Sequence, residues 1–81
     1  MNIKLTKETR DYVNVGTILK DSCAKYEVTC TWISGNGRCK YVSIKCLEDY
    51  VPNHEWMVGR TIYGEPLSKL YGMEIVKGES K

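Results

Sequence analysis

The stretch that decides the fold is residues 26–46, which read YEVTCTWI (26–33), SGNGR (34–38) and CKYVSIKC (39–46). The two outer segments are rich in β-branched and aromatic residues and alternate between apolar and polar positions. That pattern is typical of strands with one buried face. The segment between them contains residues that tolerate the positive φ angles of a tight turn. The stretch therefore predicts a central β-hairpin at about residues 26–46.

The register of this hairpin follows from the character of the residues that face each other. A two-residue turn at Asn36-Gly37 would pair Val28 with Lys45, which mixes a buried position with a solvent position. A three-residue loop of Gly35, Asn36 and Gly37 gives the pairs Val28–Ile44, Cys30–Val42, Thr29–Ser43 and Glu27–Lys45. Each of these pairs matches in polarity, and cross-strand partners share one face of a sheet. We therefore expect the three-residue loop, because a slip of one residue would turn the apolar set to water.

The four cysteines do not have the spacing of a structural zinc site. Cys23, Cys30, Cys39 and Cys46 follow the pattern C-x6-C-x8-C-x6-C, whereas zinc sites use pairs about two to four residues apart. In the predicted register Cys30 and Cys46 share a face but lie about 13 Å apart along the strand. Cys39 lies on the other face. We expect free thiols, two of them buried, and no metal or cofactor.

The flanking segments predict three more strands around the hairpin. These are residues 13–20, 58–63 and 73–77, with a short helical turn at 66–72 that has Pro66 near its start and Gly72 at its end. Residues 47–57 read as a long loop with one helical turn near 47–50. The N-terminal arm, residues 1–12, fits either a short helix or an edge strand, and residues 78–81 read as a frayed tail. The prediction is an all-β single domain, residues 1–81, with a small five-stranded barrel over 13–77.

The order of these elements resembles an SH3-like barrel, in which a one-turn helix precedes the last strand. The likeness rests on the central hairpin, the turn at 66–71, and the strand openings Val15-Gly16-Thr17-Ile18 and Val58-Gly59-Arg60-Thr61. The acidic, aromatic groove of signalling SH3 domains is absent, so the resemblance does not imply polyproline recognition. The short chain, rich in Lys and Tyr, is also similar to small accessory proteins encoded by bacteriophages. That resemblance implies a protein that binds a bacterial host protein in the host cytoplasm and inhibits or redirects it.

Charge and hydropathy argue against several classes of protein. Twelve Lys and Arg against ten Asp and Glu give a formal net charge of +2, and the two signs interleave along the chain. A dedicated nucleic-acid domain carries a basic stripe instead. No stretch approaches the roughly 18 apolar residues of a membrane helix. No apolar run follows Lys4 as it would in a secretory signal. We therefore expect a cytoplasmic protein that has no membrane partner.

The loop at residues 47–57 is the strongest candidate for a functional surface. Loops of this length in compact domains are often functional. The loop and the positions near it contain Tyr, Trp and Arg, the residue types that dominate binding energy at protein interfaces. We predict a non-enzymatic protein-binding module. Its predicted contact residues are Tyr50, His54, Trp56, Arg60, Tyr63 and Tyr71.

Two other functions remain open. Small barrels bind single-stranded nucleic acid through aromatic platforms and basic grooves, and the residues for such a surface are Arg38, Lys40, Tyr41, Lys45 and Arg60. The second alternative is an oligomer that sequesters a small ligand between barrels, since an edge strand offers a route to homo-oligomers.

A catalytic site would have to use the single histidine, His54. Its partners would be Cys46 or Cys23 as nucleophile, with Asp49 to orient the ring. A histidine on a solvated loop is the simpler interpretation of the same residues. We therefore predict that the chain is not an enzyme.

Overall fold

The computed structural model describes residues 2–76, and within them the chain is all β with three short 3-10 helices. The strands are β1 (Asn2–Lys4), β2 (Ile18–Lys20), β3 (Ala24–Ile33), β4 (Lys40–Asp49), β5 (Thr61–Pro66) and β6 (Glu74–Val76). The 3-10 helices are Arg10–Tyr12, Glu55–Met57 and Leu67–Leu70. The all-β prediction is confirmed. The predicted frayed tail, 78–81, lies outside the described residues.

All six strands form one antiparallel sheet in the order β1-β6-β2-β3-β4-β5. The predicted count of five strands is wrong, because Asn2–Lys4 pairs with β6 and adds an edge strand. The N-terminal arm therefore contains the edge strand, followed by the 3-10 helix Arg10–Tyr12. Within residues 2–76 the two outermost strands, β1 and β5, do not pair with each other. The sheet is open, and the closed barrel expected from the sequence is not formed by its pairing.

One cluster of buried side chains holds the sheet together. Its buried members come from four strands, three connecting segments and the 3-10 helix before β6: Leu5, Val13, Leu19, Val28, Val42, Ile44, Leu67, Met73 and Ile75. Burying each large apolar side chain contributes about 1.5–3 kcal/mol. The alternation along β3 and β4 predicted Val28, Val42 and Ile44 as core residues, and the structure confirms them.

The hairpin follows the predicted register only in the half that is far from its turn. Glu27–Lys45 and Val28–Ile44 pair as expected, but beyond a bulge at Thr29 the pairs are Cys30–Ser43 and Thr31–Val42. The predicted Cys30–Val42 and Thr29–Ser43 pairs are wrong. The reason is a four-residue turn, Gly35 to Arg38, closed by the Ser34 N–H, which donates to the Cys39 carbonyl at 2.8 Å. The fourth turn residue shifts the register by one, and the bulge absorbs the shift.

The bulge also changes which cysteines are buried. Cys30 now pairs with Ser43 and is exposed, so it does not share the buried face with Cys46. All four thiols are free, and Cys46 alone is buried. The prediction of two buried thiols is therefore wrong.

Three predicted element boundaries also need correction. Strand β2 begins at Ile18 and not at residue 13, because Asn14 to Thr17 form a turn in which the Thr17 N–H donates to the Asn14 carbonyl at 2.9 Å. Strand β5 begins at Thr61 and not at 58. Residues 47–49 continue β4 and form no helical turn. The one-turn helix before the last strand is present as Leu67–Leu70.

No helix in the described part of the chain has both the length and the apolar character needed to cross a membrane.

Candidate functional site

The segment from Tyr50 to Arg60, here called the aromatic loop, lies at the end of the hairpin opposite its turn. Both ends of this loop are fastened to the sheet. The Tyr50 N–H donates to the Cys23 carbonyl at 2.8 Å, and the Cys46 N–H donates to the Arg60 carbonyl at 2.9 Å. The Gly59 N–H donates in turn to the Cys46 carbonyl at 2.8 Å. These hydrogen bonds fix the positions of both ends of the loop, which continues from β4 and leads into β5.

A nearly buried carboxylate organises the start of the loop. Asp49, whose side chain is only 3% exposed, lies with Oδ2 at 2.6 Å from His54 Nδ1. Its other oxygen, Oδ1, accepts the Val51 N–H at 3.0 Å. The carboxylate therefore ties the imidazole to the end of β4. His54 is held by this contact rather than free on a solvated loop.

Trp56 is held on two sides while most of its surface faces solvent. The His54 ring meets it edge-on, with ring centroids 5.0 Å apart and an interplanar angle of 82°. The Arg60 guanidinium lies over the indole at 5.6 Å from the centroid, and its Nε–H donates to the Trp56 carbonyl at 3.1 Å. Even so, Trp56 is 60% exposed. The backbone beneath it is a 3-10 helix, Glu55–Met57.

Four of the six predicted protein-binding residues thus share this loop, and two do not. Tyr50, His54, Trp56 and Arg60 lie within it, and the Tyr50 hydroxyl donates to Glu48 Oε1 at 2.8 Å. Tyr63 is on edge strand β5 and is 80% exposed. Tyr71 follows the 3-10 helix Leu67–Leu70 and lies near the turn of the hairpin. The predicted set is not one continuous surface.

The environment of Cys46 is the opposite of what a nucleophile needs. Burial raises the pKa of the Cys46 thiol, and the negative charge of Asp49 raises it further. The thiol also donates to the Glu48 carbonyl at 3.4 Å. Reactive cysteines have a lowered pKa and partial exposure. Burial likewise raises the pKa of the nearby Tyr26 hydroxyl, with the charges of Cys46 and Asp21 adding to the effect.

The turn end of the hairpin has a different character, because three cations meet there. Arg10, Arg38 and Lys40 line a small depression of about 50 Å³ together with Pro66, Leu67 and Tyr71, here called the cationic depression. In the described part of the chain, no acidic side chain is among the residues that line it. Lys40 is fixed in place because its Nζ donates to the Val13 carbonyl at 2.6 Å.

The predicted nucleic-acid-binding residues are dispersed over three places. Arg38 and Lys40 lie in the cationic depression, and Arg60 lies in the aromatic loop at the other end of the hairpin. Tyr41 and Lys45 are on β4 between them, where Lys45 pairs with Glu27. The structure therefore does not bring these five residues together on one surface.

Two residues near these sites were missed by the sequence analysis. Trp32 stacks on Tyr41, its direct cross-strand partner, with ring centroids 5.9 Å apart and an angle of 11°. The correct register would have revealed this pair. Arg10 reaches the turn of the hairpin from the N-terminal arm, and no local sequence signal predicts that approach.

A second, wider concavity of about 420 Å³ is lined by Lys20, Asp21, Ser22, Gly72 and Glu74. Its polar lining of mixed charge differs from the mostly apolar lining of small-molecule pockets. Residues 2–76 hold no group of three or more His, Cys, Asp or Glu side chains arranged to bind a metal ion.

Comparison with known proteins gave no match to any family model, curated protein or solved structure.

Proposed function

We propose that this chain is a non-enzymatic protein-binding module and that the aromatic loop is its contact surface. The observation that carries the proposal is Trp56, a side chain that is oriented by His54 and Arg60 and yet is 60% exposed. An exposed indole of this kind is a large apolar group available to a partner. Tryptophan, tyrosine and arginine are also the most frequent hot-spot residues at protein interfaces.

The preformed geometry of the loop supports this proposal. Binding costs free energy for each side chain that must be ordered at the interface, about 0.5–1.5 kcal/mol for a rotamer-rich one. His54 is already held by Asp49 at 2.6 Å, and Arg60 is already bonded to the Trp56 carbonyl at 3.1 Å. These side chains are therefore already ordered before binding, and little further entropy is lost when a partner binds. Three further apolar side chains of the loop or next to it, Tyr50, Val51 and Val58, are also exposed.

The partner that we propose is a bacterial host protein, whose action is inhibited or redirected when the loop covers its surface. This part of the proposal derives from the resemblance to small phage accessory proteins, and the SH3-like architecture belongs to the same proposal. The 3-10 helix directly before β6 and the long central hairpin are consistent with that architecture. The buried Cys46 thiol with its raised pKa supports a binding role over a catalytic one.

The test is affinity capture of the tagged full chain from a nuclease-treated bacterial lysate, followed by measurement of the affinity for the captured protein. Trp56→Ala should weaken that affinity by about 30-fold or more, the usual loss at a hot spot. The matched control is Trp32→Ala, which removes the other exposed tryptophan from the turn half of the hairpin and should leave the affinity within about twofold.

Three results would contradict the proposal. One is an affinity that Trp56→Ala leaves unchanged. Another is an equal loss in both tryptophan variants while both remain folded by circular dichroism. The third is a captured set that disappears with nuclease, which would favour the nucleic-acid alternative.

A further inference from the structure

The cationic depression is a site that the aromatic loop does not use. It lies at the turn end of the hairpin, whereas the loop lies at the opposite end. Its three cations come from separate parts of the chain: the 3-10 helix Arg10–Tyr12, the hairpin turn and the start of β4. Folding therefore brings Arg10 next to Arg38 and Lys40, which are neighbours in the sequence but distant from it.

The depression is much more positively charged than the protein surface as a whole. The whole chain has twelve Lys and Arg and ten Asp and Glu, a net charge of +2. Three of the twelve cations line this single depression, and none of the acidic residues in the described part of the chain does. Like charges repel one another unless an opposite charge or water screens them. An arrangement of this kind is complementary to an anion.

The donors at the site remain available to such an anion. Within residues 2–76 no carboxylate forms an ion pair with either the Arg10 or the Arg38 guanidinium. An ammonium has three N–H donors, and the Val13 carbonyl accepts from the Lys40 Nζ at 2.6 Å, which leaves two donors over. The Ser68 hydroxyl also lines the depression. Guanidinium groups are suited to phosphate because two of their N–H bonds match two oxygens.

The surroundings of the site favour a small and highly charged anion. The depression holds about 50 Å³, well above the roughly 10–15 Å³ that one water needs. Its walls include Pro66 and the buried Leu67, and their apolar surface lowers the local dielectric constant and strengthens the attraction between opposite charges. A terminal phosphate group carries nearly two negative charges at neutral pH and offers three acceptor oxygens.

We infer that the cationic depression binds a terminal phosphate group, with Arg10, Arg38 and Lys40 as its charged ligands. The phosphate can belong to a phosphorylated side chain of a protein or to a nucleotide, because both present the same dianionic group. The site acts independently of the aromatic loop, so its failure would leave the protein-binding proposal intact.

The test is a titration of the ¹⁵N-labelled full chain with inorganic phosphate at constant ionic strength, followed by amide chemical shifts. We expect saturable shifts at Arg38, Cys39, Lys40 and Ser68, with the amides of the aromatic loop unchanged. Arg10→Gln and Arg38→Gln should each weaken binding by about three- to tenfold. The matched control is Lys45→Gln, which removes the same charge from the middle of β4 and should change the affinity by less than twofold.

Two further ligands identify the source of the phosphate. Phosphoserine is compared with serine, and adenosine 5′-monophosphate is compared with adenosine. Binding of a phosphorylated compound without binding of its parent supports the site, and the tighter of the two phosphorylated compounds names the source. Shifts that do not saturate, equal losses in Arg38→Gln and Lys45→Gln, or equal binding of the parent compounds would each overturn the inference.

Discussion

The two ends of the β3–β4 hairpin arrange their charged groups in opposite ways. At the aromatic loop the polar groups around Trp56 have partners in the same chain: Asp49 holds His54 at 2.6 Å, and Arg60 donates to the Trp56 carbonyl at 3.1 Å. At the turn, Arg10 and Arg38 line a depression to which the described residues contribute no acidic side chain. His54 and Arg60 at the loop end are therefore hydrogen-bonded within the chain, whereas the Arg10 and Arg38 guanidinium groups form no ion pair with a carboxylate in the described residues.

This difference separates groups that maintain the fold from groups that are available to a ligand. A buried carboxylate with two hydrogen bonds is expected to contribute to stability, because removing it breaks both bonds. Cations gathered without anions contribute no such stability and repel one another. Natural proteins accept costs of this kind at functional sites. The comparison therefore predicts that removing charge lowers stability at the loop end and not at the turn end.

The largest effect is expected from Asp49→Ala. The substitution removes the acceptor of both the His54 ring and the Val51 N–H. We expect the free energy of unfolding to fall by about 1.5–3 kcal/mol, the usual contribution of hydrogen bonds to a charged group. Urea denaturation measures this change.

The control for that variant is Glu48→Ala, which removes an exposed carboxylate that accepts the Tyr50 hydroxyl. It should cost less than about 1 kcal/mol. Equal losses in the two variants would show that Asp49 does not fasten the loop.

A smaller effect is expected at alkaline pH, through Cys46. Burial and the charge of Asp49 raise the pKa of this thiol above its ordinary value of 9.0. The unfolded chain then loses the proton at a lower pH than the folded chain does. The free energy of unfolding should therefore fall as the pH rises above about 9, by at most about 1.4 kcal/mol per pH unit.

Urea denaturation between pH 7.5 and 10 measures this slope. Cys46→Ala should reduce it, whereas Cys39→Ala, which removes an exposed thiol at the turn end, should leave it unchanged. A slope that is the same in all three proteins would contradict the assignment to Cys46.

The sequence predicted the loop half of the hairpin well and the turn half poorly, for a physical reason. The pairs Glu27–Lys45 and Val28–Ile44 follow from matching polarity alone. The bulge at Thr29 depends on the length of the turn, and the glycines at 35 and 37 allow either three or four residues in it. The Ser34 hydroxyl, which accepts the Cys39 N–H at 3.2 Å, favours four. That bond cannot be inferred from the polarity pattern of the strands.

The aromatic loop and the cationic depression also differ in how far the sequence predicts them. Tyr50, His54, Trp56 and Arg60 are close in sequence, so their meeting in one loop was predictable. The approach of Arg10 to Arg38 spans more than a third of the chain and depends on where the N-terminal arm packs. The prediction that placed Tyr71 with the loop residues was wrong. Its position at the turn end depends on the tertiary fold, which the sequence pattern does not show.

The smallest expected change in the free energy of unfolding comes from replacing one arginine by glutamine, either at the turn end or at the loop end. Because the substitution is the same at both places, it compares the two ends most directly. Arg38→Gln removes a cation from the turn end and relieves repulsion with Arg10 and Lys40. The free energy of unfolding should stay equal or rise by a few tenths of a kcal/mol (about 0.2–0.5) at low salt, and the gain should vanish at high salt.

Arg60→Gln removes the same charge from the loop end, where the guanidinium lies 5.6 Å from the Trp56 ring centroid. It should lower the free energy of unfolding by about 0.5–1 kcal/mol. Changes of the same sign in both variants would remove the contrast between the two ends, because the arginines would then have equivalent surroundings.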